Sequence, residues 1–274
     1  MVYDLAIDFG GSTTKLIVTH DQRIVQRRLL PAAARPEPDS LHALIATAGL
    51  SARDVATLFV TGGLSRHLPA TVAGIQLQHV GEVESIGRGG LRAAGVPEAL
   101  VVSLGTGTAM VLSRGEHFTH LGGSAVGGGT LIGLGRLLLG ESDPRAIAAM
   151  AIQGDLAHVD LTVGDIIGGP VGRVPAEFAA AHFGKLMRDD ASPSPADIAA
   201  GLCNLIGQAI ATTVLPTATA AQQATIVLTG HLVEVPGVRA ALEAVDALGS
   251  GDRFRVPPLP GFATALGAFS YMPQ

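Results

Sequence analysis

One arrangement occurs twice in this chain, and it limits the folds available more than any other feature. Residues 3–20 read as a strand "YDLAIDF", a glycine loop and a second strand "KLIVTH", and "ATLFVTGGL" follows at 56–64. Residues 98–114, "EALVVSLGTGTAMVLSR", repeat the strand, Gly/Thr loop and strand, and "ATIVLTGHL" at 224–232 echoes the earlier segment almost letter for letter. Apolar alternation broken by glycine and hydroxyl residues is the pattern of β-hairpins. Two hairpins and two matching strand ends in one order indicate an internal duplication. The expected fold is therefore α/β with two related lobes, residues 1–95 and 96–274, the second carrying additional helices.

Those helices are expected at "LHALIATAGL", capped by Asp39 or Ser40, and at "GGGTLIGLGRLLLG". Others are expected at "DPRAIAAMAIQG", with Pro144 in its first turn, at "PAEFAAAHFGKLMRDD", at "PSPADIAAGLCNLIGQAIATTVL" and at the C-terminal "GFATALGAFSYM". Residues 198–221 are the most apolar stretch, yet they include Asn204, Gln208 and Pro216, so a buried or interface helix is expected there and not a membrane span. With 47% hydrophobic and 15% charged residues over 274 positions, the chain has ample material for a core and lacks the composition of a disordered one. A net charge of -5 argues against nucleic acid or an anionic membrane as partner. The single cysteine, Cys203, cannot build a disulfide framework, and the start "MVYDLAIDFGG" lacks the features of a secretory signal, so a cytoplasmic protein is expected.

The loop "DFGGSTTKL" at 8–16 fits neither familiar glycine-loop pattern, but its chemistry suits phosphate. Gly10 and Gly11 let backbone amides turn toward an anion, Ser12, Thr13 and Thr14 add hydroxyls, and Lys15 adds a cation. Asp8 cannot itself bind phosphate and is the candidate ligand of a hydrated Mg²⁺ bridging the phosphate oxygens. Gly105, Thr106, Gly107 and Thr108 offer the same groups a second time. A dinucleotide reading of "GTGTA" requires a helix next, whereas the residues that follow alternate as a strand. Two facing hairpin clips closing on a triphosphate account for both loops. Glycines ending at Gly129 precede an apolar helix, and a helix N-terminus is an anion site, so Gly127 to Thr130 are expected to touch a nucleotide. A carboxylate able to orient an acceptor hydroxyl is available in "HVGEVES", at Glu82 or Glu84.

Several segments taken in order resemble the type II pantothenate kinases of the acetate kinase, sugar kinase, heat-shock protein and actin superfamily. They are "IDFGGSTTK", "VTGG", "QHVGEVES", "SLGTGTAM", "GGSAVGGGTLIGLGRLL", "QGDLAHVDLTVGDI", "AAAHFGKL" and "GFATALGA". The resemblance implies an ATP-dependent kinase of duplicated ribonuclease-H-like (actin-like) fold, dimeric with itself, acting at the start of coenzyme A biosynthesis. It implies that Asp8 to Lys15 form the first phosphate loop, that Thr106 binds nucleotide in the second, and that Gly128, Gly129, Thr130, Leu131 and Ile132 line a further nucleotide segment. It places Gly230 and His231 in an adenosine-side loop and Glu82 as the catalytic base. Three positions depart from the family on the acceptor side. His120 stands where bacterial members carry an arginine that grips pantothenate, Ala179 where a threonine is expected, and His182 where an asparagine is. A histidine is shorter and cannot form the bidentate guanidinium fork. Pantothenate is thus the leading acceptor, a different hydroxylated small molecule the alternative, and a non-catalytic ATP-binding regulator the reading from another class.

Overall fold

The computed structural model describes residues 1–32, 36–72, 74–188 and 191–271. The first part of the chain forms β1 (Tyr3–Phe9), β2 (Thr13–His20), β3 (Arg23–Pro31), α1 (Pro38–Thr47), β4 (Val55–Thr61), β5 (Thr71–Val72), β6 (Ile75–His79) and α2 (Glu82–Ala94). The second forms β7 (Glu98–Leu104), β8 (Thr108–Arg114), β9 (His117–Ser124), α3 (Gly128–Leu139), α4 (Pro144–Ala151), β10 (Leu161–Thr162), α5 (Val163–Ile167) and β11 (Ala179–Ala181). It ends with α6 (Pro195–Ala220), β12 (Ile226–Thr229), α7 (Pro236–Ala247), β13 (Phe254–Arg255) and α8 (Ala263–Ala268).

The duplication is written into the sheets. One has the order β3-β2-β1-β4-β6-β5 and the other β13-β12-β7-β8-β9. In each, an antiparallel meander of three strands is extended beyond its first strand by two parallel strands in succession: β4 beside β1 and then β6 beside β4, β12 beside β7 and then β13 beside β12. The echo of "VTGG" in "LTGH" has a structural cause. Gly62 (φ 88) and Gly230 (φ 90) leave the ends of β4 and β12 in a conformation side chains rarely adopt. Each also presses on the end of the neighbouring strand: a Cβ would lie 2.5 Å from the Phe9 carbonyl at Gly62 and 2.2 Å from the Leu104 carbonyl at Gly230.

Apolar side chains of β1 and β2 (Leu5, Ile7, Leu16, Val18) close on Leu41 and Ile45 of α1. Those of β7 close on Leu202, Ile206 and Ile210 of α6. Two helices cross over between the sequence halves. Ile86 and Leu91 of α2 pack on Val101, Val111 and Val227 of the second sheet, while Ala265, Ala268 and the following Phe269 pack on Ala6, Ile17 and Phe59 of the first. By length and composition α6 would suffice to cross a bilayer, but most of it is buried inside the fold, Cys203 included.

Two expectations for helices change. α1 starts earlier than read, with Glu37 as its N-cap; the Glu37 amide donates to Ser40 Oγ at 2.9 Å, and the side chain of Asp39 lies outside the described residues. Residues 176–188 are not a helix. They form β11 paired with β10, then a short 3-10 turn entered through Phe183 in the left-handed region (φ 57). Buried Asp160 holds this course by accepting from the Phe183 amide at 2.9 Å and Asn204 Nδ2 at 2.7 Å, and the alanine-rich composition yields to those bonds.

Candidate active site

Between β1 and β2 the chain turns in three residues, closed by the Gly10 amide donating to the Thr13 carbonyl at 3.2 Å. A Cβ on Gly10 would stand 2.9 Å from the Thr13 carbonyl oxygen and 2.9 Å from Lys15 Nζ, so glycine keeps this turn tight with the lysine folded back over it. There Lys15 Nζ meets Asp8 Oδ2 at 3.1 Å, with both side chains largely buried. Strand alternation sorts the hydroxyls. Thr13 and Lys15 face the cleft, whereas Thr14 is 2% exposed and packed in the sheet, so its expected place among the phosphate donors is corrected. The second loop is closed by the Gly105 amide donating to the Gly107 carbonyl at 2.9 Å. The two loops touch across the cleft through Ser12 Oγ and Thr106 Oγ1, 2.8 Å apart.

These loops wall a cleft of about 390 Å³, within the usual range of small-molecule sites. Asp8, Gly10, Gly11, Ser12, Thr13 and Lys15 line it from one side, and Gly105, Thr106 and Gly107 from the other. Glu82 borders it too, as do Gly128, Leu131 and Ile132 of α3 and Gly230 with His231. The start of α3 differs from the expected anion site. Its Gly128 amide donates to the Gly105 carbonyl at 2.8 Å and its Gly129 amide to the Thr106 carbonyl at 2.9 Å. Thr130 Oγ1 accepts from the Gly127 amide at 3.1 Å. These groups brace the second loop, and α3 offers the cleft an apolar wall instead of free amides.

Glu82 opens α2, and a Cβ on Gly63 would stand 3.5 Å from its Oε2. Solvent reaches the side chain, yet the surrounding walls withhold enough hydration to raise its carboxyl above the ordinary range, and Asp8 adds to the shift. Arg66, Lys15 and His120 offset part of it. The rival acid Glu84 is engaged by Arg88 on the same helix. His231 stacks edge-on to Phe262 and fills the space above Gly261, where a Cβ would meet its ring at 2.4 Å. Burial, then Lys15, lowers its pKa to about 4, so it meets a ligand as neutral imidazole.

The three acceptor-side departures separate. His120 is exposed on β9, beside a register shift that leaves Leu121 unopposed by β8, and lies close enough to Glu82 to act on its charge. Ala179 sits in β11, and His182 Nδ1 bonds Asp160 Oδ2 at 3.3 Å; neither borders the cleft. The sequence reading missed several wall residues, among them Ser103, Pro144, Val235, Gly261 and Thr264. Gly261 and Thr264 belong to the "GFATALGA" segment, so a signal for them was present.

Duplicated lobes facing each other through paired glycine hairpins, with a carboxylate at the cleft mouth, define an ATP-dependent phosphotransferase of ribonuclease-H-like fold. Residues 95–248 match the family model described as Fumble, and the chain belongs to that family. Type II pantothenate kinase of Bacillus cereus (strain G9842) is 25% identical over 222 residues, 75% of each chain. Type II pantothenate kinase of Oceanobacillus iheyensis is 34% identical over 161 residues, 57% of this chain and 59% of that one. The activator of the 2-hydroxyisocaproyl-CoA dehydratase from Clostridium difficile, solved with bound ADPNP, superposes with a TM-score of 0.67 at 15% identity over 97% of this chain and 92% of that one. A ROK family glucokinase from Streptomyces griseus, solved with glucose and AMPPNP, gives 0.56 at 15% identity over 97% of both chains. These two structures establish the shared fold.

Proposed function

We propose that this protein transfers the γ-phosphoryl group of ATP to the primary hydroxyl of pantothenate, giving 4'-phosphopantothenate and ADP. The observation that carries the reading is Glu82, a carboxylate of raised pKa facing Asp8 and Lys15 across the cleft. The names of the Bacillus cereus and Oceanobacillus iheyensis relatives support the acceptor. Phosphoryl transfer asks mainly for neutralised charge and an aligned nucleophile. Lys15, the loop amides and the hydroxyls of Ser12, Thr13 and Thr106 hold the phosphates. Glu82 orients the acceptor hydroxyl and takes its proton as the new O–P bond forms and the bond to the departing ADP oxygen breaks. Neutral His231 packs beside the nucleotide without adding charge.

The donor set suits a hydrated Mg²⁺. The described residues hold no group of three metal-binding side chains, but Mg²⁺ keeps its waters and takes one or two carboxylates with the phosphates. Asp8 would hold it, with Glu82 near enough to feel the Asp8 charge. When bound, the ion would supply positive charge that offsets the phosphates. A homodimer, which the resemblance implies, would cover Ile152, Ile166, Ile167 and Met187, apolar side chains exposed on the second lobe; light scattering measures it.

The test is ADP release across a panel of pantothenate, pantetheine, pantoate and amino sugars. Turnover with pantothenate is expected. A lack of it at millimolar acceptor, with another panel member accepted, would leave a kinase of a different alcohol, the reading that His120 favours.

A further inference from the structure

Arg66 stands near the candidate base and, among the described residues, has no partner of its own. It lies on a 3-10 turn, Gly63–His67, that leaves β4 through Gly62. The turn is held firmly: buried Ser65 donates its hydroxyl to the Gly62 carbonyl at 2.7 Å, and the Leu68 amide donates to the Ser65 carbonyl at 3.0 Å. Its first residue, Gly63, abuts the Glu82 carboxylate. The two arginines of α2 are spent on structure. Arg88 binds Glu84, Glu116 and the Gly267 carbonyl, and Arg92 binds the carbonyls of Phe269 and Tyr271. Arg66 is exposed, and among the described residues its guanidinium makes no hydrogen bond or ion pair. Its charge nevertheless acts on Glu82 more strongly than that of Lys15 or His120. Gly63 sets this turn against Glu82, and Arg66, three residues on in the same turn, is near enough for its charge to act on that carboxylate.

A guanidinium that has no partner among the described residues, carried on a turn whose backbone is held, is suited to a planar oxyanion. We propose that Arg66 grips the carboxylate of an anionic alcohol acceptor, so that the hydroxyl at the far end of that molecule rests against Glu82. The inference rests on the pantothenate reading and deepens it: the grip comes from the first lobe, on the same body as Asp8 and Lys15, while exposed His120 faces the acceptor from the second. Arg66 then sets which acceptors are taken and leaves the nucleotide untouched.

Steady-state kinetics of wild type and Arg66→Gln are compared with pantothenate and with pantothenamide, the uncharged amide of the same acid. Loss of charge-assisted bonds to the carboxylate is expected to raise the KM for pantothenate about 10- to 100-fold. The KM for pantothenamide and for ATP should stay within about twofold, and Arg66→Lys should recover part of the loss. Pantothenate and its amide affected alike, or neither affected, would overturn the role of Arg66 while leaving the kinase reading in place. Wild-type turnover confined to uncharged acceptors would overturn the grip and the pantothenate reading together.

Discussion

A single methyl group at Gly267 tests how the two lobes are joined. α2 and α8 cross backbone to backbone: a Cβ on Gly267 would lie 2.0 Å from the Ser85 carbonyl oxygen and 2.5 Å from the Gly89 amide. In the opposite direction, a Cβ on Gly89 would lie 1.9 Å from the Ala263 carbonyl oxygen. Ordinary contact begins near 3.4 Å, and the obstructing atoms are main chain, so no rotamer change relieves the clash. The helices must part by more than an ångström. Overpacking of this kind costs about 3 kcal/mol, the upper part of the usual range. For a chain of this size that lowers Tm by about 6–10 °C. Because α2 begins at Glu82 and α8 follows Gly261 at the cleft wall, the same displacement should lower kcat by about 10²-fold through misalignment. Gly133→Ala is the control. That glycine is exposed within α3 with nothing near its Cβ position, and alanine there should stabilise by up to about 1 kcal/mol. Thermal melts and ADP release are read on both variants. If Gly267→Ala melts no lower than wild type, the close crossing does not hold the lobes.

Glu82→Gln should lower kcat by about 10²- to 10⁴-fold while keeping the affinity for a non-hydrolysable ATP analogue, read by calorimetry. The same variant checks the environment of the carboxyl. Its folded pKa lies above the unfolded value, so the folded state binds the extra proton and stability falls as pH rises between the two. Glu82→Gln should therefore melt above wild type at pH 7, with the gap closing in acid. Lys15→Ala should weaken binding of the ATP analogue about tenfold or more, and an unchanged Kd would remove the first loop from phosphate binding. Asp160→Asn can keep an oxygen for the Phe183 amide but turns Oδ2, which accepts from Asn204 and pairs with His182, into an NH2 donor, and should cost about 2–4 kcal/mol in urea unfolding at pH 7. Burial pushes the Asp160 carboxyl up, but those bonds together bring it below its ordinary value. The deficit should therefore persist above the ordinary carboxylate range and shrink as pH falls through the lowered folded value.

Hairpins and loops were legible in the sequence because their signals are local: alternation for β1, β2, β7 and β8, glycines for the turns between them, and Pro144 and Pro195 at helix starts. What escaped depends on contacts distant in sequence. The segment around His182 carries helix-forming alanines, but its path is set by Asp160 and Asn204, residues it cannot announce. The amides of Gly128 and Gly129 looked free by helix logic and are taken by carbonyls some 23 positions earlier in the chain. Thr14 was misplaced for a different reason, since the alternation that places Lys15 in the cleft also excludes its neighbour. The cross-over of α2 and α8 leaves only a faint trace in sequence, the small residues of "SIGRGGL" and "ATALGA". Arg66 left no motif at all; its meaning lies in Glu82 being its neighbour.

The two copies of the duplicated unit share a backbone and differ in charge, and that difference assigns their tasks. By strand register, Asp8 opposite Lys15 in β1 and β2 corresponds to Ser103 opposite Ala109 in β7 and β8. After the paired glycines Gly62 and Gly230, the chain continues into a 3-10 turn in both lobes, and Arg66 in one occupies the place of Glu234 in the other. The first copy therefore holds a buried ion pair and a guanidinium with no partner among the described residues, while the second offers hydroxyls and apolar wall. Thr106 of the second copy would join the first loop in holding the nucleotide's phosphates. In the proposed reaction the charged copy would bring Asp8 to hold a cation, Lys15 to meet the migrating phosphoryl group and Arg66 to meet the acceptor. α2 rests on the second sheet and brings Glu82 back toward the first, so the candidate base sits where these unlike halves meet.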